Sequence, residues 1–185
     1  DAFGQAWLLE RPDGVREEGA TPRPQVPAYR EYREALPLAE RHILYESMHG
    51  ASIGGNPLAI FEGISANPGF SAWAHVWALK PGAVIPDALR QRDDLILVER
   101  GSSLYQRYLA TCSHIVCDVT LPPWFIRRPG QKYLNTWHGT PLKKLGRHIP
   151  DEFMPHANVQ RNLLQATHVI SPNEHTTRVL LESND

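Results

Sequence analysis

The stretch DLILVERGSSLYQRYLATCSHIVCDV, Asp94 to Val119, decides the fold. It opens with the apolar run DLILVE, turns at Gly101-Ser102 and continues as the helix SSLYQRYLATC. A second apolar run, HIVCDV, follows at once. Both runs are continuously apolar rather than alternating. That is the pattern of strands buried on both faces, as in a parallel sheet covered by helices. Working outward, HILYES (42–47), AWAHVWAL (72–79), KYLNTW (132–137) and HVIS (168–171) read as further strands. NPLAIFEGISAN (56–67) reads as a helix, with Asn56 as N-cap and Pro57 at the first helical position. Its Leu58 and Phe61, and its Ile60 and Ile64, recur at helical spacing. NVQRNLLQA (158–166) and EHTTRVLLE (174–182) are helices, and PLKKL (141–145) opens a short one ended by Gly146. The alternation predicts an α/β fold, Rossmann-like and doubly wound, with a mostly parallel sheet.

Residues 1–40 read differently. The segment from Glu10 to Pro37 is rich in Pro, Glu and Arg and poor in aliphatic residues. It reads as a linker with one short helix, Tyr29 to Leu36. QAWLLER (5–11) reads as a single strand ending an upstream module. The predicted organisation is therefore linker 1–40 and domain 41–185.

Composition narrows the function classes. The 185 residues are 42% hydrophobic, with 19 basic and 20 acidic side chains and a net charge of −1. No basic excess points to nucleic acid. No apolar run approaches the ~20 residues of a membrane span, and no signal peptide is visible at Asp1. The two cysteines, Cys112 and Cys117, suit neither a metal site nor a disulfide framework and read as buried free thiols. Without an Asp-x-Asp motif or a spaced His/carboxylate cluster, neither a metal nor another cofactor is expected.

In doubly wound folds, ligands sit outside the carboxyl ends of the strands. The turns ESMHGASIGGNP, ERGSS, CDVTLPP, WHGTP and SPNEH should line that edge. His42, His75, His114 and His168 lie at strand starts or inside a strand and read as structural. His138 ends a strand on the favoured edge. Gly139 lets backbone approach a ligand closely. Thr140 can cap the next helix and Pro141 can open it. Such a helix N-terminus, with Lys143 and Lys144 one turn on, would form an anion site. A neutral imidazole beside it can take a proton from an attacking hydroxyl while a phosphate is held. Spacing alone leaves this reading and that of a merely hydrogen-bonded corner histidine both open.

The motifs carry a resemblance. QKYLNTWHGTPLKKLG (131–146) and VISPNEHTTRVL (169–180) resemble the CDP-glycerol glycerophosphotransferase family, which makes the poly(glycerol phosphate) or poly(ribitol phosphate) chains of teichoic acids. ILYESMHGASIGGNPLAIFE, LYQRYLATCSHIVCDVTLPPWF and RRPGQKYLNTW match it in order and spacing, so the resemblance covers residues 41–185. It implies the N-terminal, acceptor-side half of a GT-B transferase, without the C-terminal half that holds most of the CDP-glycerol or related CDP-polyol donor. The fragment alone is then expected to be inactive. The resemblance also implies a lipid-linked polymer acceptor, peripheral membrane association of the full-length protein, and the cytoplasmic face of a bacterial membrane. It makes His138 the general base. Gly139, Thr140, Pro141, Lys143, Lys144 and Asn56 become substrate-binding candidates. Asp118 is a candidate for orienting His138 or for capping the TLPP turn, and Asn135 is a further one. Ser171 and Asn173 are binding candidates or helix caps. Trp124 and Phe125 read as a buried aromatic cluster with a basic rim, or as a lipid contact.

This sequence departs from the family at Gly55-Asn56, where Asp-Asn is common, and at His148, where Asp is common. Two rival functions follow from the same residues. One is a GT-B glycosyltransferase using a nucleotide sugar; the other is a non-catalytic polymer-binding module.

Overall fold

The computed structural model describes residues 25–149 and 153–184. Six strands form one parallel sheet: β1 (Ala39–Glu46), β2 (Ala74–Leu79), β3 (Leu95–Glu99), β4 (Cys112–Cys117), β5 (Lys132–Asn135) and β6 (His168–Val169). Their order is β3-β2-β1-β4-β5-β6, and every pairing is parallel. The helices are α1 (Gln25–Ala35), α2 (Gly55–Ser65), α3 (Asp87–Arg90), α4 (Ser103–Thr111), α5 (Phe153–Gln165) and α6 (Glu174–Asn184).

The continuous apolar strands are explained by two cores, one on each face. Successive strand residues point to opposite faces. Leu44, Val76, Ala78 and Ile115 pack with Tyr105 and Leu109 of α4 on one side. Ile43, Tyr45, Trp77, Leu79 and Val116 pack with Phe61 of α2 on the other. With both faces covered, neither set of alternating positions has to be polar.

The strand order reverses between β1 and β4. That reversal opens a crevice at the carboxyl ends, because the two following segments leave toward opposite sides. Register places Glu46, Cys117 and Asn135 side by side at that edge.

Three expectations change. The helix expected over 141–145 is not formed; Gly139 to Leu145 is irregular chain, followed by a 3-10 turn at Gly146–His148. Leu142 is 94% exposed and both lysines are exposed, so no apolar face stabilises so short a helix. The helix N-terminus proposed as an anion site at Thr140 therefore does not exist. Gly146 does not end a helix either: it lies in the left-handed region, φ 50°, pressed against Ser183 of α6. Finally, Asn56 is not an N-cap, because α2 already begins at Gly55.

The boundary expected at residue 41 falls within packed structure. α1 lies against α4, and its Tyr29 belongs to the core, its ring 5.0 Å from that of Trp124. The strand expected at QAWLLER lies outside the described residues. Phe125 is fully buried, and Arg127 and Arg128 are engaged with main-chain carbonyls. Cys112 and Cys117 are free and buried, and burial pushes both thiols well up.

Candidate active site

The residues at the switch point are organised by Asp118, which follows β4 and is 3% exposed. Its carboxylate accepts from Ser47 Oγ at 2.8 Å and from the Met48 main-chain N–H at 2.9 Å. Its main-chain carbonyl accepts from His138 Nδ1 at 2.8 Å. A carbonyl can only accept, so Nδ1 carries the proton. In the neutral ring Nε2 then carries the lone pair, the arrangement a general base requires.

Trp137 packs against the ring. It stacks on His138 with centroids 4.5 Å apart and planes 29° from parallel. It does so from a left-handed backbone, φ 54°, which costs a non-glycine residue about 1–2 kcal/mol. Two amides hold that conformation. Asn135 Oδ1 accepts from Trp137 N–H at 2.9 Å, while its Nδ2 donates to Val119 O and Tyr133 Oη. Asn56 Nδ2 reaches from α2 to the carbonyls of Thr136 and Trp137 at 3.3 and 3.5 Å.

His138 stands between two hollows. One, about 570 Å³, is lined by Asn56, Asp118, Thr136, Gly139 and Pro172 among others. The other, about 340 Å³, is lined by His49, Thr120, Asn135, Asn162 and several apolar side chains. Met48, Trp137 and His138 line both.

The sequence candidates thus divide. His138, Gly139, Asn56, Asp118 and Asn135 come together. Thr140, Pro141, Lys143 and Lys144 line neither hollow, although Thr140 Oγ1 accepts from Asn173 Nδ2 at 3.2 Å. Asn173 caps α6 through Thr176 N at 2.9 Å, and Ser171 bonds Thr177. His148 is exposed. Asp118 meets His138 through its main chain, not its carboxylate.

His49 was missed by the sequence reading, although it lies in the quoted turn ESMHGASIGGNP. No short motif marks it. Met48 and His49 both adopt left-handed conformations, φ 50° and 54°, which sequence patterns assign to Gly or Asn. His75 is buried and bonds Tyr45 Oη at 3.1 Å, away from this edge.

Beneath the site, Glu46 is fully buried. It accepts from Arg100 Nε at 2.8 Å and from Tyr105 Oη at 2.9 Å. Burial pushes its carboxyl above the ordinary range, against the pull of Arg100 and Tyr105. Among the described residues, no group of three His, Cys, Asp or Glu side chains is placed to hold a metal. Nor is any described helix long and apolar enough to cross a membrane.

Residues 29–183 match the model of the CDP-glycerol:poly(glycerophosphate) glycerophosphotransferase family. The chain belongs to this family. It is 31% identical over 151 residues to the teichoic acid poly(glycerol phosphate) polymerase of Bacillus spizizenii, covering 78% of this chain and 38% of that protein. It is 26% identical to the teichoic acid glycerol-phosphate transferase of Staphylococcus aureus, covering 82% of this chain and 39% of that one. This glycerophosphotransferase-family chain therefore spans well under half of these relatives. In three dimensions it resembles the wall teichoic acid polymerase TagF, with a TM-score of 0.69 and 23% identity over 86% of this chain and 40% of that one. The likeness identifies the fold as one half of a GT-B architecture.

Proposed function

We propose that this chain is the acceptor-side half of a transferase. The enzyme moves glycerol phosphate, or a related polyol phosphate, from a CDP-activated donor to a teichoic-acid-like polymer. The observation that carries the reading is the His138 Nδ1 bond to the Asp118 carbonyl, which leaves Nε2 as the acceptor nitrogen of the neutral ring in a residue that lines both hollows at the switch point. Membership of the family supplies the substrate class.

In this reading the terminal hydroxyl of the acceptor lies at Nε2. Its oxygen attacks the phosphorus that bears the glycerol. The bond from that phosphorus to the bridging oxygen of the diphosphate breaks, and cytidine monophosphate leaves with the electron pair. The hydroxyl proton passes to Nε2. Phosphoryl transfer asks mainly for positioning and charge stabilisation. The Asp118 carbonyl, the Trp137 ring and the amides of Asn56 and Asn135 supply positioning here. Donor binding is assigned to a second domain, beyond the 185 residues. The polymer acceptor is lipid-linked, and the complete protein works at the cytoplasmic face of a bacterial membrane. Residues upstream of the packed unit serve as a linker.

General-base catalysis contributes about 100- to 10,000-fold. In the complete protein, His138→Ala should lose that much turnover and keep its unfolding midpoint. A variant with near-normal cytidine monophosphate release would refute the role of His138. Release from nucleotide sugars, and not from CDP-glycerol or CDP-ribitol, would refute the donor.

A further inference from the structure

The 340 Å³ hollow contains a second imidazole that the mechanism above does not use. His49 lines it together with His138. Its ring makes no hydrogen bond to the described residues, whereas the amides of Asn135 and Asn162 in the same hollow are already committed to the protein.

The turn that presents His49 is held against its own preference. Two successive non-glycine residues, Met48 and His49, sit in the left-handed region. The Asp118 carboxylate fixes the first, and Gly50 closes the turn through its N–H to Ser47 O at 2.8 Å and its carbonyl to Lys80 N at 2.7 Å. Strain of this kind persists only where surrounding contacts over-determine it, and it concentrates at working sites. The result leaves His49 half-buried, with hydrogen-bonding capacity unused by the described residues, on the same hollow as His138.

The groups that act on His49 come from four strand ends. They are Lys80 after β2, Arg100 after β3, Asp118 after β4 and His138 after β5. Burial first, then Arg100 and Lys80, hold its pKa below 6.5, with Asp118 opposing and His138 adding. Unliganded His49 is thus mostly neutral near pH 7.

We propose that His49 is the phosphate-contacting residue of this site, bonding a phosphoryl oxygen of the substrate while the hydroxyl proton goes to His138. This rests on the acceptor-side transferase reading, which brings phosphate groups to the hollow. The phosphate can belong to the terminal unit of the acceptor or to the donor; the chemistry is the same. Arrival of that anion beside a half-buried imidazole favours the protonated ring. Phosphate binding then takes up a proton at His49, and affinity weakens as pH rises through the ligand-bound pKa.

The test is a histidine Cε1–H NMR titration of the chain with glycerol 3-phosphate, glycerophosphoglycerol and CDP-glycerol in turn. The His49 pKa should rise with at least one of them, and the ligand that raises it identifies the source of the phosphate. His49→Gly, which suits the left-handed turn, should weaken that ligand about tenfold, the scale of a charged hydrogen bond. His49→Asn, also tolerant of this backbone, should abolish proton uptake while the chain stays folded. An unmoved His49 titration with wild-type affinity in His49→Gly would overturn the proposal. So would failure of all three ligands to perturb any resonance. His138→Ala must leave the His49 response intact; normal turnover in that variant would sink the base and not this contact.

Discussion

Replacing Asp118 by alanine tests what holds the switch point together. The carboxylate is buried and accepts two hydrogen bonds, from Ser47 Oγ and Met48 N. Hydrogen bonds to a charged group contribute about 1.5–3 kcal/mol each, so the pair is worth about 3–6 kcal/mol. Against this stands the left-handed backbone of Met48 and His49, at about 1–2 kcal/mol per residue. In Asp118→Ala the bonds are lost, and the turn relaxes and recovers part of the strain. The expected net loss is about 2–4 kcal/mol. With a urea m-value of about 2 kcal/mol/M, the unfolding midpoint should fall by about 1–2 M. The Nε2 face of His138 should survive, since its partner is a main-chain carbonyl. The NMR environment of His49 should change and that of His138 should change little. A midpoint shift below about 0.3 M, with both histidine resonances unmoved, would show that the carboxylate does not sustain the strained turn.

Gly146→Ala should cost at least about 2 kcal/mol, because a Cβ there would collide with the Ser183 main-chain carbonyl in a left-handed backbone. Thermal melting should report it as a drop of about 4–8 °C. Arg100→Met leaves Glu46 buried without its cation and should cost about 3–5 kcal/mol. Since the folded carboxyl is already raised above its ordinary 4.5, this variant should lose further stability as pH rises above that value, as read by urea unfolding across pH. Burial holds His42, His75 and His114 below 6.5, so the stability they contribute is complete above that pH and is lost as pH falls through their folded values. His42→Phe should flatten that acid limb and add about 1 kcal/mol, because His42 Nδ1 is buried without a partner.

The sheet was legible because its strands carry their own signal. Runs such as LILVE and HIVC are apolar on both faces and need no distant partner to be recognised. Their ends then located His138. Legibility failed where long-range contacts overrule local preference. PLKKL has helix formers but nothing to pack Leu142 against. Met48 and His49 look like ordinary residues, and the carboxylate that bends them lies 70 positions away in the chain. Asn56 looked like a cap because its fit to the local rule was good. Its amide instead spans 80 positions to the carbonyl of Thr136.

The division of labour within Asp118 bears on how this site tolerates change. The group that fixes the tautomer of the neutral His138 ring is a peptide carbonyl, which every amino acid possesses. Any residue that preserves the path of the chain at position 118 can perform that task. Genetic screens at this position therefore read out the side chain, through the turn that presents His49 and the lining of the 570 Å³ hollow, and not the carbonyl. The proton-fixing contact is open to chemical synthesis: exchanging the 118–119 amide for an ester weakens the carbonyl as an acceptor while leaving every side chain in place. In inheritance, the orientation of the His138 ring is buffered against point mutation, and the presentation of His49 is exposed to it.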